Sequence, residues 1–460
     1  MRPVRQWFRE TTGGLPATFW YLWTGSLINR LGSFVLVFLA IYLTIVRGFS
    51  EFHAGLVIGL WGAGGAAGTL LGGVLTDRWG RRPTLLTAHL CAAATMLALG
   101  FAEPLWLVAA GALLLGFFAE SARPAFAAMM IDVVPVRDRL RAFSLNYWAI
   151  NLGFACSAIL AGFAAEASYL LLFVINSGAT LLTAIIIFVK VRETRHPHTG
   201  PASVRGPAPL PGTPPPGTPP PGSRLPGTRL RFGSARPPRA AGGLRTVLAD
   251  RVFLGFVGLN ILVALVFMQH LSMLPIAMGQ DGLTPATYGT VIALNGVLIV
   301  AGQLFVPRLI RGRSRSHVLA LAAVVTGAGF GLTAFADVAW FYAGTVLIWT
   351  LGEMLHSPSN STLIAELSPD PLRGRYQGVF SLSWSIAAFA APIGGGFVRE
   401  QFGNSTLWLG CAAIGGLVAV GHLVSGPARE RRATDLRTPA PALMPAGSAP
   451  PAAAAAPQTS

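Results

Sequence analysis

Apolar residues gather into long runs along this chain, and short polar clusters divide those runs at near-regular intervals. Windows of about twenty apolar residues, long enough to cross a bilayer's hydrocarbon core, fall at 17–45, 54–76, 83–102, 104–131, 141–165 and 168–190. A second set falls at 253–278, 285–307, 317–336, 338–366, 376–399 and 405–426. Lipid tolerates no unsatisfied backbone polar group, so each run is expected to be a helix. The pattern predicts an all-α membrane protein with twelve transmembrane helices in two six-helix bundles. Residues 197–240, between the two sets, are too dense in Pro and Gly to span and read as an extended linker. The expected organisation is an N-terminal bundle at 1–191 and a Pro/Gly/Arg-rich cytoplasmic linker at 192–245. A C-terminal bundle at 246–426 and a disordered cytoplasmic tail at 427–460 follow.

Composition supports the membrane assignment. Only 11% of the 460 residues are charged and 53% are hydrophobic, against roughly 25% charged in soluble domains. A formal net charge of +16 raises the question of nucleic acid. The basic residues, however, lie in short clusters between apolar runs, without the interleaved aromatics that single-strand binders use. No nucleic-acid partner is expected; the bilayer is. Cys91, Cys156 and Cys411 lie far apart inside apolar runs, with no metal or redox spacing. Arg2, Arg5 and Arg9 precede a first run long enough to span, which reads as a retained helix.

The arginines also set orientation. Counting spans from the N-terminus, one side receives Arg2, Arg5 and Arg9, then Arg78, Arg81 and Arg82, then Arg137, Arg139 and Arg141. The same side receives the basic linker, Arg308, Arg311, Arg313 and Arg315, then Arg373 and Arg375, and the tail. The other side has little beyond Arg47 and Arg399. Positive loops stay in the cytoplasm, so a multi-pass protein of the cytoplasmic (inner) membrane with both termini cytoplasmic is expected. A missed span would move every later cluster to the wrong side.

The halves repeat. IDVVPVRDRLRAF at 131–143 aligns without a gap to AELSPDPLRGRYQ at 365–377, placing Asp132 on Glu366, Pro135 on Pro369, Arg139 on Arg373 and Arg141 on Arg375. The same register places Pro124 on Pro358, Gly162 on Gly396 and Glu166 on Glu400. Six-helix duplication is one established way to build a carrier.

Between the second and third runs, residues 72–86 read GGVLTDRWGRRPTLL. Gly73, Asp77, Arg78, Gly80, Arg81 and Arg82 resemble the signature loop of the major facilitator superfamily. The physics is readable on its own: Gly73 permits close helix approach, Asp77 suits a neighbouring helix N-terminus, and the arginines can pair with acids or lipid phosphates. The resemblance implies two bundles related by pseudo-two-fold symmetry, with this loop latching the cytoplasmic side when the carrier is open outward. The corresponding loop of the second half, PRLIRGRSR at 307–315, keeps only arginines. APIGGG at 391–396 resembles the proline-glycine motif of family exporters, whereas SAILAG at 157–162 lacks the proline.

Ionisable groups inside spans are functional candidates by default. The first run carries Asn29 and Arg30, the fourth Glu120 and Arg123, the seventh Asn260, Gln269 and His270, and the tenth Glu353 and His356. The resemblance implies that spans one, four, seven and ten line the central cavity. Asn29, Arg30, Glu120, Arg123, Gln269, His270, Glu353 and His356 are therefore the candidate substrate and proton pathway. Glu120 with Arg123, and Glu353 with His356, are three apart and share a helix face. Burial favours the neutral carboxylic acid and a nearby cation favours the carboxylate. Glu120 has arginines to hand and Glu353 only His356, which makes Glu353 the expected proton carrier. An ion network of Arg30, Glu120 and Arg123 serving structure alone stays open.

The expected function is secondary transport of a small organic molecule by alternating access: a proton-coupled efflux antiporter. Met268, Met273, Met278, Phe267, Trp148 and Trp384 would supply adaptable apolar surface. Uptake of a polar metabolite is the alternative, since Arg30, Arg123 and His356 suit an anion; a receptor on the same fold is a third. No nucleotide loop, metal-spaced histidine cluster or serine elbow is present, so neither enzymatic activity nor a cofactor is expected, and the chain is read as a monomer.

Overall fold

The computed structural model describes residues 13–194, 244–303, 305–369 and 372–437. These are helical, with no strand among the described residues. In the first half α1 (Ala17–Leu31) and α2 (Phe34–Ile41) run on through a π-helical turn, Tyr42–Val46. They are followed by α3 (Glu51–Arg78), α4 (Arg81–Gly100), α5 (Leu105–Val133), α6 (Arg139–Ala167) and α7 (Tyr169–Lys190). The second half opens with α8 (Leu244–Ala249), α9 (Arg251–Phe267), α10 (Gln269–Ser272) and α11 (Leu274–Gln280). It continues through α12 (Pro285–Gly302), α13 (Val306–Leu309), α14 (Arg315–Leu332), α15 (Ala339–Leu367), α16 (Arg373–Phe402) and α17 (Asn404–Arg437).

Eleven of these helical runs are long and apolar enough to cross a membrane. The tenth predicted span, α15, is 29 residues long. It falls short on hydropathy because Glu353, His356, Asn360 and several serines and threonines interrupt it. Large apolar side chains such as Leu113, Phe163, Phe188, Leu321, Leu417 and Val424 are exposed on the outside of the bundle. An exposed apolar surface of that extent belongs in lipid.

Packing follows the small residues. On one face of α3, Gly64, Gly68 and Gly72 meet the backbone of α5 at Leu113, Phe117 and Ser121, leaving no room for a Cβ. On its other face a Cβ at Gly59 or Gly62 would lie 2.6 Å from Phe389 O or Ala388 O of α16. α3 is thereby held within its own half and against the other. α6 and α12 make the second seam between the halves, with Gly162 against Ala286, Gly289 against Ala158, and Gly296 against Asn151 and Ala155. Without a hydrophobic drive between helices in lipid, such close approach is what holds them together.

The last helix extends further than the sequence boundary at 426. Residues 427–437 are helical despite Pro427. Arg429 and Arg432 explain why: Arg429 is buried on His422 and Ser316, and Arg432 pairs with Asp250 of the preceding short segment. The remainder of the assigned tail, and linker residues 195–243, lie outside the described residues.

Candidate functional site

Both halves interrupt their leading membrane helix, and Asn29, Arg30, Gln269 and His270 lie beside the interruptions. Between α1 and α2, Gly32 closes on α7, where a Cβ would collide with the Cβ of Ala179. The amide of Val35, freed by the break, donates to Asn176 Oδ1 at 3.2 Å, and Ser33 Oγ donates to Asn29 O at 2.7 Å. In the second half the helix stops at Phe267, restarts at Gln269 and again at Leu274. Paired breaks at matching positions of two repeats mark the binding region in many carriers.

Asn29 and Arg30 precede the first break, but they face different neighbours. Asn29 Nδ2 donates to Thr180 Oγ1 of α7 at 3.2 Å, a packing contact. Arg30 lies deep in the bundle, half-buried, within electrostatic reach of Glu120 and Arg123 of α5. Glu120 and Arg123 are themselves paired, Oε2 to Nε at 2.7 Å. These three form one cluster on the first half's wall.

The second half's candidates divide. Asn295 Nδ2, on α12, donates to Glu353 Oε2 at 2.7 Å and lies 3.1 Å from Thr350 Oγ1. No arginine or lysine is paired with Glu353 among the described residues. Tyr147 of α6 lies within its electrostatic reach, so this carboxyl stands at the seam between halves. His356, although three residues on, turns inward: it is buried, 6.3 Å from the Phe267 ring, with Nε2 unpartnered. His270 Nδ1 is bonded to Phe267 O and its ring lies 5.6 Å from Trp349. Gln269 Nε2 donates to Ala391 O of α16 at 3.0 Å, beside Pro392. Gln269, His270 and His356 thus belong to the second half's interior, and Glu353 to the seam.

At the arginine-rich end the signature loop is open. Asp77 is exposed, and its carboxylate has no hydrogen-bond or ion-pair partner among the described residues. Gly73 has nothing within 4 Å of a built Cβ, nor have Gly374 and Gly378 of α16; the close-packed glycine is its neighbour Gly72. α3 and α16 therefore separate toward this end, and so do α6 and α12, where Tyr147 and Trp148 are exposed. The acid at a helix N-terminus is not Asp77 but Glu193. Its oxygens accept the backbone amides of Arg81 and Arg82 at 3.1 and 3.0 Å, after Gly80 turns the chain at φ 111°. Arg81 Nε pairs with Asp132 at 3.1 Å and Arg82 Nη2 donates to Phe188 O at 2.6 Å. Arg78 also has a partner. Arg315 pairs with Glu366 at 2.7 Å, repeating Arg81 with Asp132 in the register that aligns the two halves. The second loop keeps only arginines, yet one of them makes the same bridge.

The opposite end is closed by residues that the sequence alone does not single out. Arg399 of α16, almost fully buried, bonds Glu51 Oε1 of α3 at 2.7 Å, Gln280 Oε1 at 2.8 Å and Asn404 Oδ1 at 2.9 Å. Gln280 Nε2 in turn donates to Glu51 Oε1 at 2.7 Å, and the Phe52 amide donates to Glu400 Oε2 at 3.0 Å. The one signal for this clamp is an arginine on the side where positive charge is scarce. The geometry is two halves clamped together at one end by Arg399 and Glu51 and parted at the other, where a Cβ at Gly73, Gly374 or Gly378 would meet nothing.

Comparison with known proteins supplies the family and the fold. The family model described as Major Facilitator Superfamily matches residues 22–392, and again 315–449. An uncharacterized MFS-type transporter, YqjV, of Bacillus subtilis is 23% identical over 389 residues, covering 84% of this chain and 87% of the relative. A Na(+), Li(+), K(+)/H(+) antiporter of Planococcus maritimus is 24% identical, covering 81% and 89%. The multidrug resistance protein MdtH of Aeromonas hydrophila is 23% identical, covering 83% and 87%. Among solved structures, a POT family transporter in complex with 5-aminolevulinic acid superposes with a TM-score of 0.72 at 13% identity, over 91% of this chain and 98% of that one. Nucleoside transporter NupG superposes with a TM-score of 0.69 at 12% identity, over 89% and 99%. Helices, paired breaks, signature loop and sequence together make this chain a multi-pass membrane transporter that belongs to the Major Facilitator Superfamily.

Proposed function

We propose that the chain exports a small organic molecule in exchange for protons. The reading has twelve spans, α15 being the tenth, arranged as two six-helix bundles of the cytoplasmic membrane. The observation that carries it is Glu353: a carboxyl near the seam, bonded to the Asn295 amide and, among the described residues, to no cation. Such a group can change its protonation when the seam opens, because opening can admit water to it and break its bond to Asn295. The antiporter and the multidrug resistance protein among the relatives support exchange and export. The test is proton movement in proteoliposomes that carry an imposed pH gradient and an internal pH dye. A panel of amphipathic cations, anions and neutral compounds is added in turn, and at least one should drive counterflow of protons. Co-directional movement would instead establish uptake, and no coupled movement for any compound would end the proposal.

Orientation follows the positive-inside rule, with both termini cytoplasmic and the present conformation open inward. Single cysteines at the exposed positions Glu103 and Asp337 should react with an impermeant maleimide on intact cells. Cysteines at 205–235 should react only after permeabilisation. Outside labelling of that segment reverses the topology.

The signature loop is proposed to be the inner latch. Asp77 is unpaired here because the latch is undone, and α16 supplies the opposing helix start on closure. Asp77→Asn should leave expression and melting temperature unchanged, since no contact is lost in the inward-open state. Removing a helix-terminus interaction of ~1–2 kcal/mol should cut the population closed on the inside, and transport with it, by about tenfold. Transport at the wild-type rate would dismiss the latch.

A further inference from the structure

We infer that the substrate is an organic anion, its carboxylate or equivalent oxyanion held by Arg30 on the first half's cavity wall. The inference rests on the transporter reading above and gives its substrate a chemical class.

The wall carries two guanidinium groups and one carboxylate. Glu120 is committed to Arg123 at 2.7 Å, with Glu120 16% and Arg123 61% exposed. Arg30 lies near both, yet it makes no side-chain hydrogen bond or ion pair with any described residue. The other interior arginines differ. Arg399 has Glu51, Gln280 and Asn404; Arg429 has His422 and Ser316; Arg432 has Asp250. The helix break beside Arg30 does not need its side chain either, because Asn176 and Ser33 already satisfy that turn.

An unpaired cation at membrane depth is costly and marks a ligand path unless something pairs with it. Arginine's rigid fork of donors matches an oxyanion with two parallel hydrogen bonds. The stem is fixed: a Cβ at Gly153 of α6 would lie 2.7 Å from Arg30 Cβ, so the two helices touch there. About one and a half turns along α6 toward the open end, Tyr147 and Trp148 expose 46% and 44% of their surface. Tyr147, which lies within reach of Glu353 across the seam, is the aromatic group available to the apolar body of such a ligand. Glu353 at the facing seam carries the opposite sign, so it rejects a second anionic group and accepts a proton or a cationic substituent.

The experiment measures equilibrium binding to the purified full chain in nanodiscs, without any gradient. Three matched pairs serve as probes: dansylglycine and its amide, 1-naphthoate and 1-naphthamide, salicylate and salicylamide. At least one acid should bind about tenfold or more tightly than its amide, the discrimination expected of a bidentate charged contact. Arg30→Gln should abolish that preference while the amide binds as before, and Arg30→Lys should restore part of it. Equal affinities within every pair, binding of none of the acids, or a preference that survives in Arg30→Gln overturns the inference. Should Arg30→Gln not fold, Arg30→Lys decides, because loss of the fork alone must reduce the acid's advantage. Acid binding without proton movement in proteoliposomes would leave this assignment standing and remove the coupled-export reading alone.

Discussion

Glu353→Gln should abolish transport driven by a pH gradient while substrate binding and substrate-for-substrate exchange persist. The glutamine keeps the shape and can still accept from Asn295 Nδ2, which lies 2.7 Å from Glu353 Oε2. What disappears, on the proposed mechanism, is the proton site. The carboxyl on α15 is held by Asn295 of α12, within the second half, with Tyr147 of α6 near it across the seam. Closing the arginine-rich end must bring α6 and α12 together along their full length, and that alters water access and the amide contact at Glu353. Gradient-driven flux in proteoliposomes should fall to the level of empty vesicles, and counterflow at equal pH should stay within about twofold of wild type. Undiminished gradient-driven flux would take Glu353 out of the coupling step.

Glu120→Gln provides the contrast. It leaves Arg123 without its 2.7 Å partner and Arg30 beside a second uncompensated cation. Arg123, mostly exposed, keeps its hydration, so the loss falls on half-buried Arg30, which is left without the carboxylate in its reach. This variant should lower the melting temperature, with proton coupling intact. Two glutamates in matching helices thus separate into coupling and structure by their partners: an amide for one, guanidinium groups for the other.

Helix positions were legible in the sequence because local chemistry sets them. The run at 54–76 became Glu51–Arg78, where Ser50 Oγ accepts the His53 amide at 3.3 Å. The run at 285–307 begins at Pro285, with Thr284 capping Thr287 at 3.2 Å. The internal repeat was legible as well, and the bridge from Arg315 to Glu366 gives it a physical content. Breaks were not. The interruption at Gly32 depends on Ala179 and Asn176, about 140 residues away. The partner of Glu353 was hidden for the same reason: Asn295 sits in an apolar run whose register toward α15 only tertiary packing decides. Sharing a helix face was a poor guide for Glu353 and His356, since Glu353 is held by Asn295 while His356 is buried against Phe267.

Arg399→Ala should open the sealed end. Arg399 is the hub of the clamp, joining Glu51 from the first half to Gln280 and Asn404 from the second. Glu51 and Arg399 are 16% and 3% exposed at the side chain, so neither charge recovers full hydration while the end stays shut. Removing one partner of a buried pair typically costs about 3–5 kcal/mol. The cost falls on the state in which Glu51 is buried; once the end opens, Glu51 returns to water. The ratio of outward-open to inward-open protein should therefore rise by roughly a hundredfold or more. A cysteine at Ala158, fully buried beside Gly289 at this seam, reports the change. It should be protected from an impermeant maleimide in the wild type and react readily in Arg399→Ala. Glu51→Gln should act more weakly, because the neutral amide can keep a hydrogen bond to the guanidinium, and the double variant should not be additive. Transport should fall in both single variants, since a carrier biased to one state completes fewer cycles. If Ala158→Cys stays protected in Arg399→Ala, the seal at this end comes from the glycine seams of α3 with α16 and α6 with α12, and the clamp is only an ornament of the closed state.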